Sequence, residues 1–145
     1  MKPLLSSWIL WAGLSALFAA LTAIFGKIGV EQINSDYATL IRTAIILVIV
    51  ALIVAVSGAW QPLAGVPRKT WLFLLLSGLA TGASWLCYYR ALKIGPASGV
   101  APIDKMSVVL VALFAAAFLG EHLMIRNWVG IALIALGAAL VAARA

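Results

Sequence analysis

The sequence predicts an all-α membrane protein built as a bundle of five transmembrane helices. Hydrophobic residues make up 66% of the 145 residues and charged residues only 10%, with a mean hydropathy of +1.17. That balance leaves too little polar surface to cover a water-soluble globule. A spanning helix needs about 20 apolar residues to cross about 30 Å of hydrocarbon, and five stretches meet that need, at about 5–26, 38–59, 71–92, 98–119 and 126–143. The runs are continuous, as in LVIVALIVAV and VVLVALFAAAFL, and lack the alternation that a barrel with a wet lumen requires. The whole chain reads as one transmembrane domain, 1–145.

The first span follows Lys2 and carries Trp8 and Trp11 near its start. A cleaved signal peptide is the alternative, but the apolar run continues past the length of such a leader. Glu31 to Asp36 forms the next connection. On the second span Thr39, Arg42 and Thr43 share a face by i, i+3 and i+4 spacing. The Pro62 to Lys69 loop holds Gly65 and Pro67, both turn signals. The third span carries Ser77, Thr81, Ser84 and Tyr88 on one stripe, Trp85 and Tyr89 one turn apart, and a GxxxG at Gly78 and Gly82. Gly95-Pro96 turns the chain into the fourth span, where Pro102, Asp104 and Lys105 interrupt the apolar run. After the Glu121 to Asn127 loop, the fifth span has no charge and no Ser, Thr or Tyr between Val129 and Ala143. Its Gly130 and Gly137, with Ala135 and Ala139, suit close helix packing and make it the candidate dimer helix.

Ionisable side chains at membrane depth cost roughly 2.5–3.5 kcal/mol each near a helix centre, so a chain that keeps them uses them for a pathway, a relay or a binding site. Here Arg42, Arg90, Asp104 and Lys105 all lie within about two turns of the same membrane face. They predict a polar vestibule. Adjacent helical residues point about 100° apart, so Asp104 is expected to seek its partner on another span, with Arg42 and Arg90 as candidates. Lys27, Thr43, Thr81, Ser84, Trp85 and Tyr88 complete the expected substrate or ion pathway. The Ser and Thr stripes are equally compatible with ordinary helix packing. Trp85 with Tyr89 either packs in the bundle or offers a face to a planar or cationic ligand. Pro102 is expected to break the helical ladder beside Asp104 and serve as a hinge, or simply to kink the helix.

Other chemistry finds no footing. The single cysteine, Cys87, excludes an intramolecular disulfide and most metal sites. His122 follows Glu121 in a loop, with no nucleophile or phosphate-binding glycine loop beside it. No catalytic residue, metal or cofactor is expected. The net charge of +6 comes mostly from Lys and Arg at span ends, where head groups and not nucleic acid are the partner. Five of the six tryptophans, Trp8, Trp11, Trp60, Trp71 and Trp128, fall near one face as an interfacial belt.

The two faces are balanced. The N-terminal side carries four cations and one anion, the opposite side six cations and three anions, so each holds a net +3. Without Arg42, Arg90 and Lys105, which lie within spans, the positive charges stand at four against three. Such a chain can insert both ways, and two opposed copies pair about an axis in the membrane plane. The alternative is a single orientation fixed by the insertion machinery or by a partner.

The stretch SGLATGASWLCYYRALKIGPASGVAPIDKMSVVLVALFAAAFLGE, Ser77 to Glu121, resembles the EamA-type domain of the drug/metabolite transporter superfamily, in particular its five-span members. FGKIG at Phe25 to Gly29 and DYATLIRT at Asp36 to Thr43 extend the resemblance over essentially the whole chain. The resemblance implies one inverted-repeat half of a ten-helix architecture, working as a dimer that exports a metabolite or drug. The lipid bilayer, a second five-span protomer and a small-molecule substrate are the partners it implies, in a bacterial cytoplasmic membrane. One departure matters: the four-span relatives of that superfamily hold a glutamate in their first helix, and Trp8 to Gly26 holds no acid. A proton-coupled mechanism would therefore fall to Asp104. A non-transporting subunit, or a half-transporter completing a different five-span partner, is the alternative.

Overall fold

The computed structural model describes residues 7–143. In hydrocarbon every backbone N–H and C=O must be satisfied within the chain, which leaves helices or closed barrels. The described residues form helices and connections, with no strand among them. The elements are α1 (Trp8–Val30), α2 (Ser35–Val56), a short 3₁₀ turn (Leu63–Gly65), α3 (Arg68–Ile94), α4 (Ala97–Asp104), α5 (Ser107–Phe118) and α6 (Ile125–Ala142). Helices α1, α2, α3 and α6, and α4 with α5 taken together, supply five segments long and apolar enough to cross a membrane. The chain is an all-α, multi-pass integral membrane protein. The start of the first expected span, at residue 5, and the charges Lys2 and Arg144 lie outside the described residues.

Local chemistry sets the helix ends. The Asn34 side chain accepts hydrogen bonds from the Asp36 and Tyr37 N–H groups at 2.8 and 3.3 Å, so α2 begins three residues earlier than its apolar run suggests. At the other end Gly58 takes φ +65°, and Ala59 N–H bonds back to Val54 C=O at 3.1 Å. This left-handed cap satisfies carbonyls that the helix leaves open. Gly120, with φ +67°, performs the same role after α5.

The chain divides into two compact units. In the unit formed by residues 1–27 and 94–145, α4 and α5 pack against α6. Its buried side chains are small: Ala23, Ala112, Ala115 and Ala138. Small residues let backbones approach where no water-driven hydrophobic effect operates. In the unit formed by residues 28–93, α2 and α3 form a hairpin joined through side chains. Long side chains join them near the end where α2 begins and α3 finishes, around buried Val30, Ala38, Thr39, Tyr89 and Leu92. Farther along, Trp71 to Leu79 of α3 and Leu47 to Ile53 of α2 are largely exposed apolar surface.

The glycines expected to mark close helix approach meet nothing within the chain. A Cβ added at Gly78, Gly82, Gly130 or Gly137 would have no atom within 4 Å. The buried alanines Ala23, Ala112, Ala115 and Ala138 occupy the close-packed positions in their unit instead.

Candidate functional site

In the 28–93 unit, the Arg42 guanidinium carbon lies 4.1 Å from the Trp85 ring centroid and 5.4 Å from that of Tyr89. Trp85 and Tyr89 are one turn apart on α3, so both rings serve a single cation from α2. Tyr88 meets Tyr89 edge-on at 6.3 Å. The aromatic face expected to accept a planar or cationic ligand is therefore taken by the protein's own cation. The edge of that cation is less well served: Arg42 Nη1 is buried and has no hydrogen-bond partner. A cation–π contact contributes about 0.5–2 kcal/mol, whereas an unsatisfied buried donor costs about 1–3 kcal/mol, and more when charged. The two effects nearly cancel.

The threonines flanking Arg42 are committed to their own helix. Thr39 Oγ1 donates to Ser35 C=O at 2.9 Å, and Thr43 Oγ1 donates to Thr39 C=O at 2.7 Å. Each hydroxyl keeps acceptor capacity but has spent its donor. Thr81 and Ser84 are exposed on α3, and Tyr88 is half-buried.

Arg90 grips Asp36. Its Nε donates to Asp36 Oδ1 at 2.9 Å and its Nη2 to Oδ2 at 2.7 Å, the bidentate geometry to which a guanidinium is suited. Asp36 was placed in a connection by its distance from the apolar run; the Asn34 cap draws it into the first turn of α2 instead. The signal was present as Asn34-Ser35-Asp36, a capping residue followed by an acid in the first turn. Nearby, Lys93 Nζ donates to the carbonyls of Val30 at 3.1 Å and Glu31 at 3.4 Å, and also to that of Ile33. A cation thus closes the carbonyl end of α1.

In the other unit, Lys27 Nζ donates to Gly95 C=O at 3.2 Å, fixing the turn that opens the fourth span. That span is not one helix. Pro102 sits inside α4, and the ladder leaves α geometry after Asp104, where Met106 N–H bonds to Ile103 C=O and Val108 N–H to Lys105 C=O, each three residues back. The interruption thus falls at Lys105–Met106, downstream of Pro102. It also overturns the expectation that Asp104 and Lys105 point apart: Lys105 ends α4 as its cap (φ −70°, ψ −8°), and its Nζ reaches Asp104 Oδ2 at 3.2 Å. Both side chains are more than a third exposed, so this pair contributes little stability.

The contacts of the expected vestibule residues are Arg42 with Trp85 and Tyr89 and Arg90 with Asp36 in the 28–93 unit, and Asp104 with Lys105 in the other unit. Within its own unit the Asp104 carboxylate meets the ammonium of the next residue in the chain. Among the described residues no group of three His, Cys, Asp or Glu could hold a metal ion.

A multi-pass helical protein that keeps ionic side chains inside its spans, with one span interrupted at a charged pair, belongs to the class of membrane transport proteins. The chain is a member of the EamA-like transporter family, which matches residues 6–143. It is 63% identical over 136 residues to an uncharacterized transporter in the cobO 3' region of Sinorhizobium sp, covering 94% of this chain and 96% of that one. It is 27% identical to an uncharacterized transporter of Vibrio cholerae serotype O1, covering 92% of this chain but only 42% of that longer protein. No solved structure gives a significant match. Family and relatives point to a membrane transporter and away from an enzyme.

Proposed function

We propose that the protein exports a polar or amphipathic metabolite or drug across the bacterial cytoplasmic membrane by alternating access, as an antiparallel dimer of two five-span protomers. The observation that carries this reading is the interrupted fourth span. Transporters place their sites where helices are discontinuous, because a broken ladder offers polar backbone at membrane depth and a joint that can move. Here the joint at Lys105–Met106 adjoins a carboxylate and an ammonium. Asp104 is the candidate group for the solute or a coupling proton, Lys105 its counter-charge, and Pro102 with the following turn the hinge.

The open faces at Gly130 and Gly137 support a second protomer seated on α6. A half that covers 42% of a longer relative fits one of two such protomers. The apolar furrow on α3, lined by Trp71, Leu72, Leu74, Leu75, Gly78 and Leu79, lacks polar groups and suits lipid chains or another helix better than a polar solute.

The test is export from proteoliposomes. Purified protein reconstituted alone and loaded with a mixed metabolite extract should deplete a defined subset, read by mass spectrometry, and the Asp104→Asn variant should deplete none. Depletion by that variant equal to wild type would remove Asp104 from the site. Depletion that begins only when a second five-span chain is added would favour a half-transporter completed by a different partner.

A further inference from the structure

We infer that Arg42 is the receptor for a carboxylate on the transported solute, which makes the substrate a monoanion. This inference rests on the transport reading and narrows its substrate class.

Asp36 is held by Arg90 and Asp104 by Lys105. Arg42, seven residues into α2, forms no ion pair with any acid among the described residues. Its neutralisation is left to the π faces of Trp85 and Tyr89, which attract a cation without accepting its N–H bonds along the guanidinium edge. Nη1 accordingly remains buried and unbonded. The neighbouring hydroxyls of Thr39 and Thr43 direct their hydrogens to their own helix.

A held cation with a spare donor at its edge selects an oxyanion acceptor. The planar fork suits carboxylate geometry, and a single positive charge is matched by a single negative one, so a monoanion is favoured over a doubly charged phosphate ester. A cationic solute is disfavoured, because the aromatic faces that would attract it already carry Arg42. Nη1 is shielded in this conformation, so the carboxylate reaches it when the helices rearrange during the transport cycle. Trp85 and Tyr89 are positioning residues: they hold the guanidinium in place while it is empty.

The test uses the full-length protein in nanodiscs of zwitterionic phosphatidylcholine, with radiolabelled acetate and benzoate as small and large carboxylate probes and benzamide as the uncharged counterpart of benzoate. At least one carboxylate is expected to bind saturably, and benzamide not to compete. Arg42→Gln should weaken binding by about tenfold or more, since a charge-assisted fork is lost, while Arg42→Lys keeps part of it. Absence of saturable binding by both probes, or equal binding by Arg42→Gln, overturns the inference. So does loss of binding when phosphatidylglycerol is added, which would give the site to a lipid head group.

A second readout needs no ligand. Arg42→Met should leave the thermal midpoint of the empty protein at or above wild type, whereas a fall of many degrees would make Arg42 a structural staple between α2 and α3. Export of only neutral or cationic solutes would overturn this inference and leave the transport reading standing. Failure to move any solute would instead remove the reading on which it rests.

Discussion

Arg90 on α3 holds Asp36 on α2 through two hydrogen bonds of 2.9 and 2.7 Å, joining two helices at positions 54 residues apart in the chain. This pair is a side-chain tie at one end of the α2–α3 hairpin. Replacing Asp36 with Asn or Arg90 with Gln should therefore loosen the hairpin. A charge exchange, Asp36→Arg with Arg90→Asp, should recover part of the loss. Thermal midpoints of the two single variants and the exchanged pair in detergent check this; equal midpoints in all forms would show that the pair is not a tie.

Asp104→Asn should insert normally yet lose transport. A hydrogen bond to a charged group contributes about 1.5–3 kcal/mol, so on the proposed role of Asp104 the variant lowers transport by at least about tenfold. Lys105→Gln should reduce transport less severely, because it removes the counter-charge and leaves the carboxylate. Initial rates in proteoliposomes, normalised to inserted protein, decide both.

Gly137→Leu and Gly130→Leu should fold as protomers and fail to dimerise. The space around both glycines is open within the chain, so the larger side chain meets no internal obstacle but would block a second helix. Light scattering in detergent with the detergent mass subtracted reads the outcome. Dimers of undiminished abundance would move the interface off α6.

A paired reporter fused after Ala145, one half active only inside the cell and the other only outside, should report both locations in comparable amounts. The near tie of positive charges between the two faces leads to that expectation. A signal from one side only would point to a parallel assembly or to an oppositely oriented partner.

Fold class was legible from the sequence because apolar runs of spanning length leave few alternatives, and the five segments fall where the runs lie. The helix ends shifted where capping chemistry outweighed hydropathy, as at Asn34 and Asp36. The charges within the spans were legible by residue and not by pairing. Arg42, Arg90, Asp104 and Lys105 stood out as charges in apolar surroundings, but nothing in a linear pattern says which carboxylate an arginine will reach. Assigning Asp104 a distant partner assumed a continuous helix through Lys105; the turn there places the two side chains together. Trp85 and Tyr89 were visible as an aromatic face, while its occupant came from a different helix 43 residues away from Trp85 in the chain. A small-residue motif such as that at Gly130 and Gly137 predicts close approach but does not say whether the approaching helix belongs to the same chain.

The spans differ in length, and that difference bears on the membrane the protein suits. With 27 residues, α3 extends about 40 Å, whereas the 18 residues of α6 reach about 27 Å. A bilayer core of about 30 Å is close to the second and shorter than the first, so α3 is long enough to tilt or to project beyond the core. A thicker bilayer would take in more of α3 and leave α6 short of spanning it. Lipid chain length thus becomes a control on this protein's working geometry, separate from any solute or ion.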